Sequence, residues 1–370
     1  MDKVRFSGSS DFYETVRHRV NVYFLDNGIS RTGDRRMFLK TGLITAWLAA
    51  SYALLVFFSS SLIMAVLTAF ALAQGLALVG FNIAHDGAHG SYSGNKKVNW
   101  LMGLTLDLIG GSQMLWQQKH NILHHTYTNI DEVDDDLQMH GLLRISPNQK
   151  RRPWHRFQHL YAFPVYGLLT LSLVTFSDFQ KFFSGRIGGY KLRKPTPSET
   201  VLFFFTKVFY FGYTLALPLF FHPLLHVLIA FLAVHLVLGF TLSLVFQMAH
   251  TVEGTAFPRP DPGTALIRNE WAIHEVETTA NFAPQNRLAA WCLGGLNFQI
   301  EHHLFPRVCH VHYPAISRIV RETCREFSIA YVSYPTLRST VAGHYRFLKR
   351  LGAKTAPEPG NRARREVVGA

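Results

Sequence analysis

Three histidines fall within six residues of the run QKHNILHHTYTN, at His120, His124 and His125. They have company elsewhere in the chain. HDGAH carries His85 and His89, FQMAH carries His250, and NFQIEHHLFP carries Gln299, His302 and His303. On a helix, residues three or four apart share a face, so His85/His89, His120/His124 and Gln299/His302/His303 can each aim two donors at one centre. Neutral imidazole suits iron, zinc, copper and nickel. Eight imidazoles exceed the four ligands of a single zinc site. They suffice for two metals of about four protein ligands each, with room for a small molecule. Two redox metals at the mouth of a helix bundle point to dioxygen chemistry, with iron first among the candidates. One HH pair is ordinary surface chemistry; eight histidines at one level from four separated segments are not.

That level is set by a membrane. The chain has 370 residues, 48% hydrophobic and only 16% charged, against about 25% charged for a soluble domain. From Thr41 to Ala84 there is neither a charge nor a histidine. One helix of that length would run about 66 Å, whereas the hydrocarbon core is only about 30 Å thick. The stretch must fold back, and Ser59–Ser61 marks its midpoint. Spans are expected at 41–59 and 62–84, and a second hairpin at 201–221 and 224–249, broken at His222-Pro223. The fold class is therefore an all-α membrane protein: four transmembrane helices in two hairpins, with a histidine-rich cap and interfacial helices. Lys207, near the start of the third span, is expected to snorkel to the interface. Val98–Ile109 reads as an interfacial helix. The uncharged stretch 160–177, interrupted by Pro164, reads as interfacial or re-entrant.

Basic residues give the orientation. Residues 1–40 carry eight Lys/Arg, 144–194 carry ten against Asp178 alone, and 304–370 carry twelve against four Glu. The hairpin tips carry none. Both termini and the histidines are expected on the cytoplasmic side of an integral, multi-pass protein, with a bacterial inner membrane as the setting. The N-terminus lacks the apolar core of a signal peptide, so residues 1–40 form a cytoplasmic segment, 41–330 the membrane domain, and 331–370 a basic cytoplasmic tail whose end is expected to be disordered. A net charge of +13 suits anionic lipid or an acidic protein; with the positive residues gathered at a membrane face, no nucleic-acid partner is expected. Cys292, Cys309 and Cys324 form no C-x-x-C pair and build neither a zinc ribbon nor an iron–sulfur cluster. His274, His310 and His312 read as structural or outer support for the ligands. The acidic run DEVDDD at 131–136 is either a solvated loop or a set of carboxylates behind ligand histidines.

In order and spacing, HDGAH, HNILHH and QIEHH resemble the three histidine boxes of the membrane fatty-acid desaturase family, and Gln299 resembles the front-end, linoleoyl-CoA desaturase-like branch. The resemblance runs from the first span to just past EHHLFP. It implies a four-helix membrane bundle with a cytoplasmic cap and two non-haem iron ions, with His250 as the extra ligand after the fourth span. It also implies an oxygen-dependent oxidoreductase that places a cis double bond in a fatty acyl chain, carried as a lipid or a CoA ester. The HPGG motif of a fused cytochrome b5 is missing from the sequence, so electrons are expected from a separate ferredoxin or cytochrome b5. Three roles stay open for Gln299: carbonyl ligand, water holder or outer support. An acyl tunnel is expected between the hairpins, with Trp116 near its wall. Rival readings are a hydroxylase or ketolase on the same scaffold, a haem electron carrier using His222, His226 or His235, and a zinc protease, which would leave at least four histidines without work.

Overall fold

The computed structural model describes residues 4–8 and 10–354. Among them, four helices are long and apolar enough to cross a membrane: Arg35–Phe57, Leu62–His89, Pro197–Phe220 and Leu224–His250. They form two hairpins, and the protein is a multi-pass membrane protein. Its lipid-facing surface is apolar, with Leu43, Trp47, Leu67, Val208, Phe205, Leu228 and Ile229 all exposed. Local chemistry sets the ends. Asp34 accepts from the Arg36 N–H to start the first span, six residues before the uncharged stretch. Ser61 caps the second span. A reciprocal Thr196/Glu199 capping box with Pro197 in the first turn opens the third. The two hairpin tips are tied together where the His222 imidazole Nε2 meets the Val56 carbonyl at 2.8 Å.

Two further segments enter the bundle. The helices Gln158–Tyr166 and Leu168–Ser172, extended by a π turn and Asp178–Ser184, form a broken unit bent by 63°. Its bend lies against the fourth span: a Cβ on Gly239 would collide with the carbonyl of Gly167. Thr170 donates to the His235 carbonyl, Ser243 to the Tyr166 carbonyl. The stretch 98–109, expected in the interface, divides. Lys96–Gly103 packs beside the HDGAH helix, and Thr105–Leu108 turns inward, where Tyr213 of the third span donates to the Leu108 carbonyl at 2.6 Å. Lys207 does not snorkel. It is 2% exposed, bound to Asp178 at 2.7 Å and donating to the carbonyls of Gly110 and Gly111 at 2.6 and 3.2 Å. Three partners inside satisfy its ammonium better than a stretched path to water, and they pin both inserted segments to the third span.

Beyond the spans lies the cap. The helices Phe12–Asp26, Trp271–Glu277, Gln299–Leu304 and Tyr313–Glu326 share one apolar core, including Phe12, Val16, Val276, Ile300 and Val320. The helix Leu337–Gly352 packs on the broken unit, where His344 meets Tyr166 at 2.7 Å. Short strands strap the cap: Arg5–Phe6 pairs in parallel with Leu266–Ile267, and Asn281–Phe282 with Ser333–Tyr334. The tail from residue 355, expected to be disordered, lies outside the described residues.

Candidate metal centre

His85 and His89 occupy the last turn of the second span, just past a π turn at Val79–Ala84. Gly90, at φ +75°, then ends the helix in the left-handed conformation that glycine supplies most cheaply. The glycine inside HDGAH has a steric cause: a Cβ on Gly87 would strike the backbone of Gly103 in the neighbouring helix. His120 and His124 lie in a π-helical run, Gln117–His124, and His125 opens the next turn. Such bulges gather at functional sites, and this one turns three side chains inward. His250 closes the fourth span, and Gln299–Leu304 carries His302 and His303.

All eight histidines converge. Nitrogen atoms of His85, His89, His120 and His302 lie within 4.8 Å of one another, as do those of His124, His250 and His303, and those of His125, His302 and His303. The expected pairs also recur, His302 and His303 beside His125, and His120 and His124 beside Asp136. His85 and His89 do share a centre, but the second box sends His120 to the first group and His124 to the second. The third sends His302 to the first group and His303 to the second, because adjacent helical residues point about 100° apart, while both also meet His125. His125 faces both groups, its ring 4.5 Å from that of His302 and 4.4 Å from that of His303.

The donor set fits a metal. Both ring nitrogens of His85, Nε2 of His89, His302 and His303, Nδ1 of His125 and His250, and Oε1 of Gln299 are buried without a hydrogen-bond partner. A protein interior leaves few such atoms, and these cluster at two points. Their opposite edges are held. Asp134 accepts from His124 Nδ1 at 3.1 Å, Glu275 from His303 Nδ1 at 2.6 Å, and the Tyr313 hydroxyl lies 3.1 Å from His302 Nδ1. Asp136 lies 3.4 Å from His124, so DEVDDD does stand behind a histidine. Burial holds His120, His125, His302 and His303 well below the usual imidazole range, neutral and ready to donate a lone pair. For His124 burial pulls the same way, but the charge and hydrogen bond of Asp134 outweigh it and raise the group. The Gln299 amide N–H lies 3.1 Å from His250 Nε2.

His235 and His310 are engaged on both ring nitrogens. His235 donates from Nδ1 to Thr170 at 3.0 Å and accepts the Tyr210 hydroxyl at 2.6 Å, so both nitrogens are used between helices and none is left for haem iron. His310 Nδ1 bonds Asp86 at 2.8 Å and its Nε2 meets the Lys40 ammonium at 2.9 Å. With Cys309 donating to Asp86, this forms a second donor group behind the first box, and Lys40 already supplies its cation. Glu275, Tyr313, Asp86 and Lys40 escaped the sequence reading; the acid inside HDGAH was the one available signal. Trp116 stacks on His120 with ring centres 4.3 Å apart and also approaches His85 and His89.

A family model described as Fatty acid desaturase matches residues 60–335, which span all eight histidines. The chain belongs to the fatty acid desaturase family. It is 40% identical over 348 residues to an acyl-lipid (8-3)-desaturase of Physcomitrium patens, covering 93% of this chain and 72% of that one. It is 35% identical to an sn-1 linoleoyl-lipid 6-desaturase of Synechocystis sp., covering 95% and 98%, and 38% identical to one of Arthrospira platensis, covering 94% and 95%. The protein is a fatty acid desaturase, an oxidoreductase of lipid metabolism, and its histidine clusters are able to bind metal.

Proposed function

We propose that this desaturase uses two non-haem iron ions and dioxygen to introduce a cis double bond into the acyl chain of a membrane lipid. His85, His89, His120 and His302 would hold one iron; His124, His250 and His303 the other, with His125 between them. The observation that carries the reading is the set of orphaned imidazole nitrogens gathered in two groups at the end of an apolar bundle. The acyl-lipid and linoleoyl-lipid substrates named for the relatives support a lipid over a CoA ester. When bound, the iron pair supplies the activation of dioxygen that unactivated C–H bonds require. The chain's own part is positioning. Asp134, Glu275 and Tyr313 fix ring orientation and keep the ligating nitrogens aimed inward. Gln299 supports His250 through its amide, which leaves Oε1 turned toward the site. Trp116 covers His120 and shields the cluster from water on that side.

The basic segments support a cytoplasmic site, with the hairpin tips across the membrane and a bacterial inner membrane as the setting. Residues 1–40 then form the cytoplasmic N-terminal segment, 41–330 the membrane domain, and 331–370 the cytoplasmic tail. A separate one-electron carrier of the ferredoxin or cytochrome b5 type supplies the reductant. Expression in a host of known lipid composition, followed by mass spectrometry of its acyl chains, tests the reading. Loss of 2 Da with a new cis bond is expected; a gain of 16 Da would make the protein a hydroxylase.

A further inference from the structure

Desaturation consumes electrons that the substrate does not supply. Dioxygen takes up four on the way to two waters, the two broken C–H bonds give two, and a carrier must give the rest, accompanied by two protons from solvent. The histidines are almost wholly buried, so a carrier docked outside must send its electrons through protein. Electron tunnelling weakens steeply with distance and across gaps, which favours packed, hydrogen-bonded and aromatic routes.

One such route leaves the second box. The indole Nε1–H of Trp271 donates to the carbonyl of His125 at 3.0 Å. The Trp271 ring meets Tyr13 edge to face, centres 5.4 Å apart, and the guanidinium of Arg17 lies 5.9 Å above the Tyr13 ring. Trp271 and Tyr13 are half-buried and Arg17 is exposed. Three side chains thus join a histidine that faces both metal groups to open solvent. The two helices beside this route carry five arginines against four acids, Glu14, Asp26, Glu322 and Glu326. Phe12–Asp26 packs against Tyr313–Glu326, and Arg19 reaches across to Thr323 and Glu326. Glu14 is neutralised by Arg17 and Glu326 by Arg19. Arg318, Arg321 and Arg325 are exposed, and none of the ion pairs found among the described residues within 4.0 Å involves them. A typical protein footprint of about 800 Å² per partner covers both helices.

We infer that the face formed by Phe12–Asp26 and Tyr313–Glu326 docks an acidic one-electron carrier, and that Tyr13 and Trp271 lead its electrons to His125. The inference rests on the two-iron reading. In each transfer one carrier molecule is oxidised by one electron and one ferric ion becomes ferrous; two transfers serve one double bond. Trp271 and Tyr13 are positioning residues that touch neither substrate nor metal. Arginines at such a face set encounter rate and register more than final affinity.

The test uses the full-length, iron-loaded protein in detergent and a plant-type [2Fe–2S] ferredoxin. Iron content is measured first, and a wild-type chain that binds no iron overturns the two-iron reading and this route together. Anaerobic stopped-flow absorbance then follows reduction of the ferric protein by ferredoxin or by dithionite with methyl viologen. Trp271→Leu is expected to slow reduction by ferredoxin at least tenfold, with unchanged iron content and an unchanged rate with the small mediator. Trp271→Phe should recover most of the loss. Charge reversal at Arg318, Arg321 and Arg325 to Glu should weaken ferredoxin binding at least tenfold and flatten its salt dependence. A wild-type ferredoxin rate in Trp271→Leu would overturn the route, and equal slowing with both reductants would make Trp271 a support of the metal site instead. Undiminished ferredoxin binding after charge reversal would overturn the docking face. So would a loss confined to binding of anionic phosphatidylglycerol vesicles, which would assign that face to the membrane.

Discussion

Asp134 and Glu275 each stand one hydrogen bond behind a donor imidazole, at 3.1 and 2.6 Å. A carboxylate there fixes the tautomer, so that the other nitrogen keeps its lone pair, and makes the ring a better donor. Asp134→Asn and Glu275→Gln keep the shape and lose the charge. Each is expected to lower iron affinity about 10- to 100-fold, read as bound iron against free metal in titration of the purified protein. His302→Ala removes a nitrogen from the meeting point of both groups. It should abolish desaturation while the protein still inserts and elutes as wild type; full turnover would remove His302 from the ligand set. The histidines were legible in the sequence because each box lies within six residues and imidazole chemistry is narrow. Glu275 and Tyr313 were not, since they reach the site from 28 and 11 residues away and a lone acid or tyrosine carries no metal-ligand spacing.

Hairpins were legible from the absence of charge, because the length of an apolar stretch against the thickness of a bilayer leaves few solutions. What an apolar pattern hides is which side of a helix meets lipid and which meets protein. The stretch 98–109 therefore reads as interface and 160–177 as interfacial or re-entrant; the second is a bent pair of helices against the fourth span, which a re-entrant unit allows, and the first divides and is bound at its end to the third. The Lys207–Asp178 pair holds them, with side chains 3% and 5% exposed. Removing one member strands a buried charge, which costs about 3–5 kcal/mol. Asp178→Ala and Lys207→Met should each lower the thermal unfolding midpoint in detergent markedly. The double variant, with no stranded charge but with the carbonyls of Gly110 and Gly111 left unpaired, should fall between the single variants and wild type. An unchanged midpoint in Asp178→Ala would mean that the pair does not anchor the bent helix.

Across the whole molecule, the distribution of charge makes a claim that the fold alone does not. Four spans in two hairpins put both termini, the histidines and the loop between the hairpins on one side, whichever side that is. Eight basic residues in 1–40 and ten in 144–194, against bare tips at 59–61 and 222–223, favour the cytoplasm because translocating Lys and Arg is disfavoured. The thiols make this measurable. Cys309 and Cys324 are buried and Cys292 is half-buried, so a Cys292→Ser background should label little. In that background Ser60→Cys, exposed at the first tip, is expected to react with a membrane-impermeant maleimide in intact cells. Lys150→Cys, equally exposed in the loop between the hairpins, should react only after permeabilisation. The reverse pattern would put the metal groups outside, beyond reach of a cytoplasmic reductant. Labelling of both in intact cells would mean an even number of crossings between 60 and 150, so that a second segment there, the stretch at 96–111, would also cross. The count of spans brings the eight imidazoles to one level, and the charge distribution then decides which compartment is expected to supply the electrons.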